Sequence, residues 1–180
     1  MNIWHDINKE RIKKDNFIAV IEISKGSKKK YELDKETGLI ILDRVLFTSS
    51  HYPANYGFIP RTFAGDNDPL DVLVLCQEDI EPMSLVECNP IGVIKMIDQD
   101  EVDEKIIAVP ISDPSMNGYQ DIKDIPQHLL SEMGNFFETY KVLEGKQTYI
   151  LDVEGREEAM NVIQESIDNY ERTFGSKQNK

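Results

Sequence analysis

The sequence predicts an α+β fold: a small closed barrel of short strands packed by two helices. Three observations carry this. Between residues 17 and 110 the apolar residues come in short runs or alternate with polar ones, and clusters of Gly, Pro, Asn, Asp and Ser separate them. From residue 126 the apolar spacing lengthens to that of a helix, and it does so twice. Strands first and helices mainly afterwards indicate α+β architecture and not a doubly wound parallel sheet. The number of short strands and the tightness of their turns favour closure into a barrel.

The elements follow in order. "FIAVIEI" (17–23) is a strand, ended by the turn "SKGS"; "KKYEL" (29–33) alternates and pairs through the turn "DKETG" with "LIILDR" (39–44). Residues 45–65 are rich in Pro, Asn, Gly and aromatics and read as a structured loop holding one short strand, "YGFI". Strands follow at "DVLVL" (71–75), "SLVEC" (84–88), "IGVIKMI" (91–97) and "KIIAVP" (105–110). Leu129, Leu130, Met133, Phe136, Phe137 and Tyr140 form the apolar stripe of a helix over 126–143, with Pro126 suited to its first turn and Asp124 placed to cap it. After a strand at "QTYILDV", Ala159, Met160, Ile163, Ile167 and Tyr170 make a second stripe over 156–173. The tail "GSKQNK" reads as disordered. No internal repeat occurs, and 180 residues suit one domain with a buried core.

Composition excludes some functions. Charged residues make up 29% and apolar residues 40%, as in ordinary soluble proteins. No apolar run reaches the roughly 18 residues a membrane helix needs, and the N-terminus lacks the apolar stretch and small residues of a secretory signal. Cys76 and Cys88 make no disulfide framework, so both are expected as reduced thiols and the location as cytoplasmic. A formal charge of −13 argues against a nucleic-acid partner, because a phosphate backbone needs a positive footprint. It leaves room for a small phosphate ligand held by local cations or bound metal.

Two acidic clusters stand at strand ends. "DNDPLD" packs Asp66, Asp68 and Asp71 into six residues with no base among them. A solvated acidic turn would account for it. An EF-hand does not, since Asp71 stands where that loop needs Gly and Gln77 where it needs Glu. The paired aspartates of an aspartyl-nucleophile phosphatase would follow a strand, and these precede one. The second cluster, "IDQDEVDEK", holds Asp98, Asp100, Glu101, Asp103 and Glu104; it also reads as a polar hairpin tip. If the two converge on one mouth of the barrel, their all-oxygen donors suit Mg²⁺ or Mn²⁺. His5, His51 and His128 are scattered, which disfavours a dedicated zinc site. Lys30, Arg44, Lys105 and Lys141 are each ordinary surface residues taken singly. Together with Tyr56 they would make a cationic wall opposite the metal, an arrangement for phosphoryl transfer.

Taken in order, "EISKGSKKKYELDKETG", "DR", "YPANYGFIP", "DNDPLDVLVL", "GVIKMIDQDEVDEKIIAVP" and "FFETYK" closely resemble the soluble family I inorganic pyrophosphatases of the prokaryotic type. The resemblance runs from about Phe17 to Lys141. It implies a five-stranded OB-type barrel with flanking helices. The implied reaction is Mg²⁺-dependent hydrolysis of pyrophosphate to two orthophosphates by direct attack of a metal-bound water, without a phosphoenzyme, with Mn²⁺ or Zn²⁺ as substitutes. By the same resemblance Asp66, Asp71, Asp98 and Asp103 are metal ligands and Asp68 acts on the attacking water. Lys30, Arg44, Tyr56, Lys105, Tyr140 and Lys141 contact phosphate, and Glu22 and Glu32 are supporting carboxylates. A homohexamer is the implied assembly, with the helix at 126–143 a lesser candidate for part of the contact.

Two other functions are compatible with parts of the chain. An OB-like barrel that binds nucleic acid or oligosaccharide would need a basic groove lined by stacking aromatics. A metal-dependent nucleotide-sugar transferase is suggested only by Asp66-Asn67-Asp68, and no sugar-nucleotide domain is apparent.

Overall fold

The structure is a computed structural model that describes residues 1–175; of the tail expected at 175–180, Gly175 instead caps the C-terminal helix, its N–H donating to the Glu171 carbonyl, and residues 176–180 lie outside the described residues. Its strands are β1 (Ile12–Lys13), β2 (Asn16–Ile23), β3 (Lys29–Leu33), β4 (Ile40–Val45), β5 (Asn55–Ile59), β6 (Leu70–Val74), β7 (Leu85–Asp98), β8 (Glu101–Pro110) and β9 (Thr148–Gly155). The helices are α1 (Gln127–Thr139) and α2 (Arg156–Phe174). Strands run in the order β1-β2-β5-β6-β8-β7-β9, and β2 also pairs with β7, so β2, β5, β6, β8 and β7 close a five-stranded ring. The β6–β8 pair is parallel and the other pairs of the ring are antiparallel. β3 and β4 form a separate two-stranded hairpin.

Burial follows the sequence pattern. Along β6 and β8 alternate residues enter two apolar clusters: Val72, Val74, Ile106 and Ala108 pack with Ala159, Val162 and Ile163 of α2. Leu73, Ile107 and Val109 pack with Met133, Phe136 and Phe137 of α1. Both faces of these strands are covered, which is why they read as continuous apolar runs. Closure requires β2 and β5 to approach closely at Gly57, where a Cβ would fall 1.8 Å from the carbonyl oxygen of Val20. No larger residue fits there without separating the two strands.

Three local expectations need correction, and one element is additional. The strands expected at 84–88 and 91–97 are one strand, β7, bent by an irregularity between Pro90 and Gly92 that absorbs the missing proline donor. The α-helix expected to reach residue 143 stops at Thr139, and Val142–Glu144 is a short 3-10 turn ended by Gly145 at φ 73°. Asp124 does not cap α1; it closes a capping box with Asp121 around Ile122–Asp124, and Pro126 takes the N-cap position with extended ψ. The two-residue strand β1 was not expected.

Asp113 ties together the loops that follow β6 and β8. Its carboxylate accepts from the Gln77 N–H at 2.8 Å, the Gln77 Nε2 at 2.7 Å and the Ser115 N–H at 2.9 Å. The backbone bond from Gln77 leads the effects that hold its pKa down at about 2. A folded pKa below the unfolded value of about 3.9 means stability that is present above that value and lost as pH falls through about 2. Asp113→Asn is therefore expected to lower Tm at neutral pH, with the gap from wild type closing between about pH 4 and pH 2. A gap unchanged across a pH series of thermal melts would refute this.

Candidate functional site

One mouth of the barrel holds a cavity of about 360 Å³. Its walls include Glu22, Lys30, Glu32, Tyr56, Asp66, Asp68, Asp71, Asp98, Asp103, Lys105, Tyr140 and Lys141. A neighbouring cavity of about 380 Å³ shares Asp66, Asp68, Asp98 and Asp103 and adds Gln99 and Glu101. The two acidic clusters therefore meet. A larger cavity of about 620 Å³ lies elsewhere, between Ile122, Leu130 and the start of α2, and holds none of these residues.

Local sequence explains how the carboxylates are presented. Asn67 takes φ 64°, a left-handed conformation that Asn tolerates well. The Asp68 N–H donates to Asp66 Oδ1 at 3.1 Å, and the Ala64 N–H donates to the Asp68 carbonyl at 2.8 Å, so the turn is self-bonded. Pro69 then restricts Asp68 to extended backbone and delivers the chain into β6. Asp71 lies beside Lys105 in the parallel β6–β8 register. The β7–β8 turn is made by Gln99 and Asp100, both with positive φ, the geometry of a tight two-residue hairpin. Period two along β8 puts Asp103 and Lys105 on one face and turns Glu104 to the other, across from Lys95.

Lys105 is the electrostatic centre. It is 2% exposed, and its three N–H donors meet Tyr56 Oη at 2.8 Å, Asp71 Oδ2 at 2.9 Å and Asp103 Oδ2 at 3.1 Å. Burial alone would lower its pKa; the carboxylates of Asp103 and Asp71 overrule that and hold it well above the ordinary value. Lys141, just beyond the end of α1, bonds Asp98 Oδ2 at 2.5 Å. Tyr140 precedes it, and burial raises its hydroxyl. Lys30 pairs with Glu32 and stands 3.7 Å from Asp43.

Two carboxyls lack such compensation. Glu22 accepts from the Leu33 N–H at 2.8 Å, yet burial, with Asp71 adding to it, pushes it up to about 8. Asp66 has no cation partner among the described residues, and burial together with Asp71 pushes it up to about 6. Among the described residues no three Asp, Glu, His or Cys side chains are already gathered into a closed metal shell. The carboxylates are spread around the wall, several of them turned to lysines. The donor set still fits a hard divalent cation: every candidate donor at the mouth is a carboxylate oxygen, and Asp66 is a desolvated carboxylate that an added positive charge would stabilise.

Arg44 alone among the expected site residues does not line the cavity. It lies opposite Lys30 in the β3–β4 register, but its guanidinium turns to Asp43 at 2.5 Å and Glu144 at 2.9 Å. Its Nη2 and Glu144 Oε2 are buried without a hydrogen-bond partner. Sequence reading missed Asp43, Glu144 and Lys35. Lys35 lines the cavity and pairs with Asp68. Asp43 adjoins Arg44 in "LDR" and was within reach of that motif; the other two carried no local signal.

Comparison with known proteins gives a consistent result. Residues 19–171 match the family model for inorganic pyrophosphatase. The chain is 47% identical over 171 residues to soluble inorganic pyrophosphatase 2 of Chlamydomonas reinhardtii, covering 95% of this chain and 89% of that protein. It is 50% identical over 167 residues to soluble inorganic pyrophosphatase 1 of Arabidopsis thaliana, covering 93% and 79%. Among solved structures, the inorganic pyrophosphatase of Helicobacter pylori superposes with a TM-score of 0.85 at 42% identity, over 89% of this chain and 96% of that one. That of Thermus thermophilus gives 0.84 at 39%, over 87% and 92%. With the ring closed as expected, both acidic turns at one mouth and the family match spanning most of its length, this chain belongs to the inorganic pyrophosphatase family.

Proposed function

We propose that the chain hydrolyses inorganic pyrophosphate to two orthophosphates by direct attack of water, with Mg²⁺ as its cofactor. The observation that carries this is the single cavity in which the carboxylates of two turns face Lys30, Lys105, Lys141, Tyr56 and Tyr140. Asp66, Asp71, Asp98 and Asp103 would hold Mg²⁺, which when bound supplies Lewis-acid charge to the phosphoryl oxygens and acidifies the attacking water. Mn²⁺ suits the same oxygen donors, and Zn²⁺ ranks after it because the cavity wall offers no His or Cys.

The chain's own residues do the rest. Lys105, Lys141, Lys30, Tyr56 and Tyr140 bind the phosphate oxygens and lower the cost of charge on the departing phosphate. Arg44 would join them only on leaving Asp43 and Glu144, which now turn its guanidinium away from the cavity. Glu22 and Glu32 hold the rim, Glu22 through Leu33 and Glu32 through Lys30. Asp68, half-exposed at the edge, takes the proton of the water as its oxygen bonds to phosphorus and the bridging P–O bond breaks. The released phosphate carries away the bridging oxygen. The test is phosphate release from pyrophosphate and from nucleotide sugars, with and without Mg²⁺. Release from pyrophosphate alone is expected; comparable turnover of nucleotide sugars would overturn the reading.

Assembly as a homohexamer belongs to the same proposal. The apolar stripe of α1 is occupied by the core, since Met133, Phe136 and Phe137 are buried. The exposed Leu39, Ile41, Leu42, Val45 and Phe47 on and beside the β3–β4 hairpin support a contact with further copies instead. Light scattering at micromolar concentration is expected to give a closed oligomer, and a stable monomer would refute it. A cytoplasmic location is supported by Cys76 and Cys88 standing as free thiols. No helix among the described residues is long and apolar enough to cross a membrane.

A further inference from the structure

Residues 1–7 precede the segment matched by the family model and contain no strand or helix, yet they are anchored on two sides. Trp4 is 4% exposed; its Nε1 donates to the Thr62 carbonyl at 3.0 Å and its ring stacks on Phe63. Thr62 Oγ1 in turn accepts from the Leu70 N–H at 2.9 Å. That bond clasps the two ends of the loop carrying Asp66 and Asp68. On the other side Asn2 Nδ2 donates to the Lys35 carbonyl at 3.0 Å. Gly38, at φ 76°, lies so near that a Cβ there would stand 3.0 Å from Asn2 Cα. One short segment therefore grips both the turn that bears Lys35 and the loop that bears Asp68.

Between these anchors Lys35 and Asp68 meet as an ion pair, and Lys35 Nζ also reaches the Asn67 carbonyl at 3.5 Å. Its ammonium lies 5.8 Å from the centroid of the Trp4 ring. Both side chains are about half exposed, 51% and 50%. Exposed pairs of this kind add little to folding, so stability does not explain the pairing of Lys35 with Asp68. Orientation does. A carboxylate on a surface turn is free about two torsions, and a base must be aligned with the water it deprotonates. The other cavity lysines are engaged elsewhere: Lys105 with Asp71 and Asp103, Lys141 with Asp98, Lys30 with Glu32 and Asp43.

We infer that Lys35 is a positioning residue for Asp68 and that the N-terminal segment is its mount. This rests on the reading of Asp68 as the base in pyrophosphate hydrolysis. The experiment measures kcat and KM for pyrophosphate at saturating Mg²⁺ in wild type, Lys35→Met, Lys35→Arg, Asp68→Asn and the double variant Lys35→Met/Asp68→Asn. Thermal melts of each accompany the kinetics. Lys35→Met is expected to lower kcat about tenfold, within what a small misplacement of a reacting group costs. KM and Tm should hardly move, and Lys35→Arg should recover most of the rate. In the Asp68→Asn background the same change should cost nothing further, because the group it positions is gone. An equal loss in both backgrounds would make Lys35 structural, and a raised KM at unchanged kcat would make it a substrate contact. Either result, or full kcat in Lys35→Met, overturns the inference. A wild type that releases no phosphate sinks the parent reading instead, so the two failures are told apart.

Discussion

Excess chelator is expected to reduce pyrophosphate turnover to the uncatalysed level, and added Mg²⁺ to restore it. A phosphate group entering the cavity would face the carboxylates of Asp66, Asp68, Asp71, Asp98 and Asp103. Lys105 and Lys141 cannot offset that repulsion alone, because they already serve Asp71, Asp103 and Asp98. A divalent cation on the carboxylates changes the sign of the local field and gives the substrate a partner. The donors are oxygen atoms. His128 pairs with Glu132 at 3.0 Å on the surface and His51 lines a different cavity, so neither offers an alternative ligand at the mouth. Ca²⁺ is expected to bind and yet support little turnover, since its looser, larger coordination aligns the attacking water poorly. Turnover that persists undiminished in chelator would overturn the metal mechanism outright.

Asp68→Asn is expected to cut turnover about 10²-fold or more at saturating Mg²⁺. The substitution keeps the size of the side chain and one acceptor oxygen and removes the carboxylate proposed as the base. Mg²⁺ affinity should change little, because Asp68 is the half-exposed member of the motif, held at the rim by Lys35. Asp71→Asn should behave differently. Asp71 sits in β6 against Lys105 at 2.9 Å, deep enough that burying its charge needs a cation. Its replacement removes the charge of a proposed metal ligand and unbalances Lys105, so the Mg²⁺ requirement should rise steeply. Two Mg²⁺ titrations, each with turnover read at saturation, separate the roles. Near wild-type turnover in Asp68→Asn would assign the base to another residue.

The sequence alone marked most of the elements and the family. Continuous apolar runs at β6 and β8 marked strands covered on both faces, and helical spacing marked α1 and α2. "DNDPLD" carried its own turn chemistry, since Asn67 tolerates positive φ and Pro69 directs the chain into β6. Such signals are local, because backbone preference and side-chain period act over a few residues. Partners are not local. That β2 closes on β7, that two apparent strands are one bent β7, and that α1 ends at Thr139 depended on neighbours distant in the chain. The same holds for charges. Arg44 followed the motif in sequence, yet in the fold it turns to Asp43 and to Glu144, some hundred residues away. Lys35 had no motif, and only packing of Asn2 and Trp4 beside it sets it against Asp68. A lysine's partner is whichever carboxylate the tertiary structure brings within reach, and Coulomb energy, falling with distance and solvent screening, then decides the pairing.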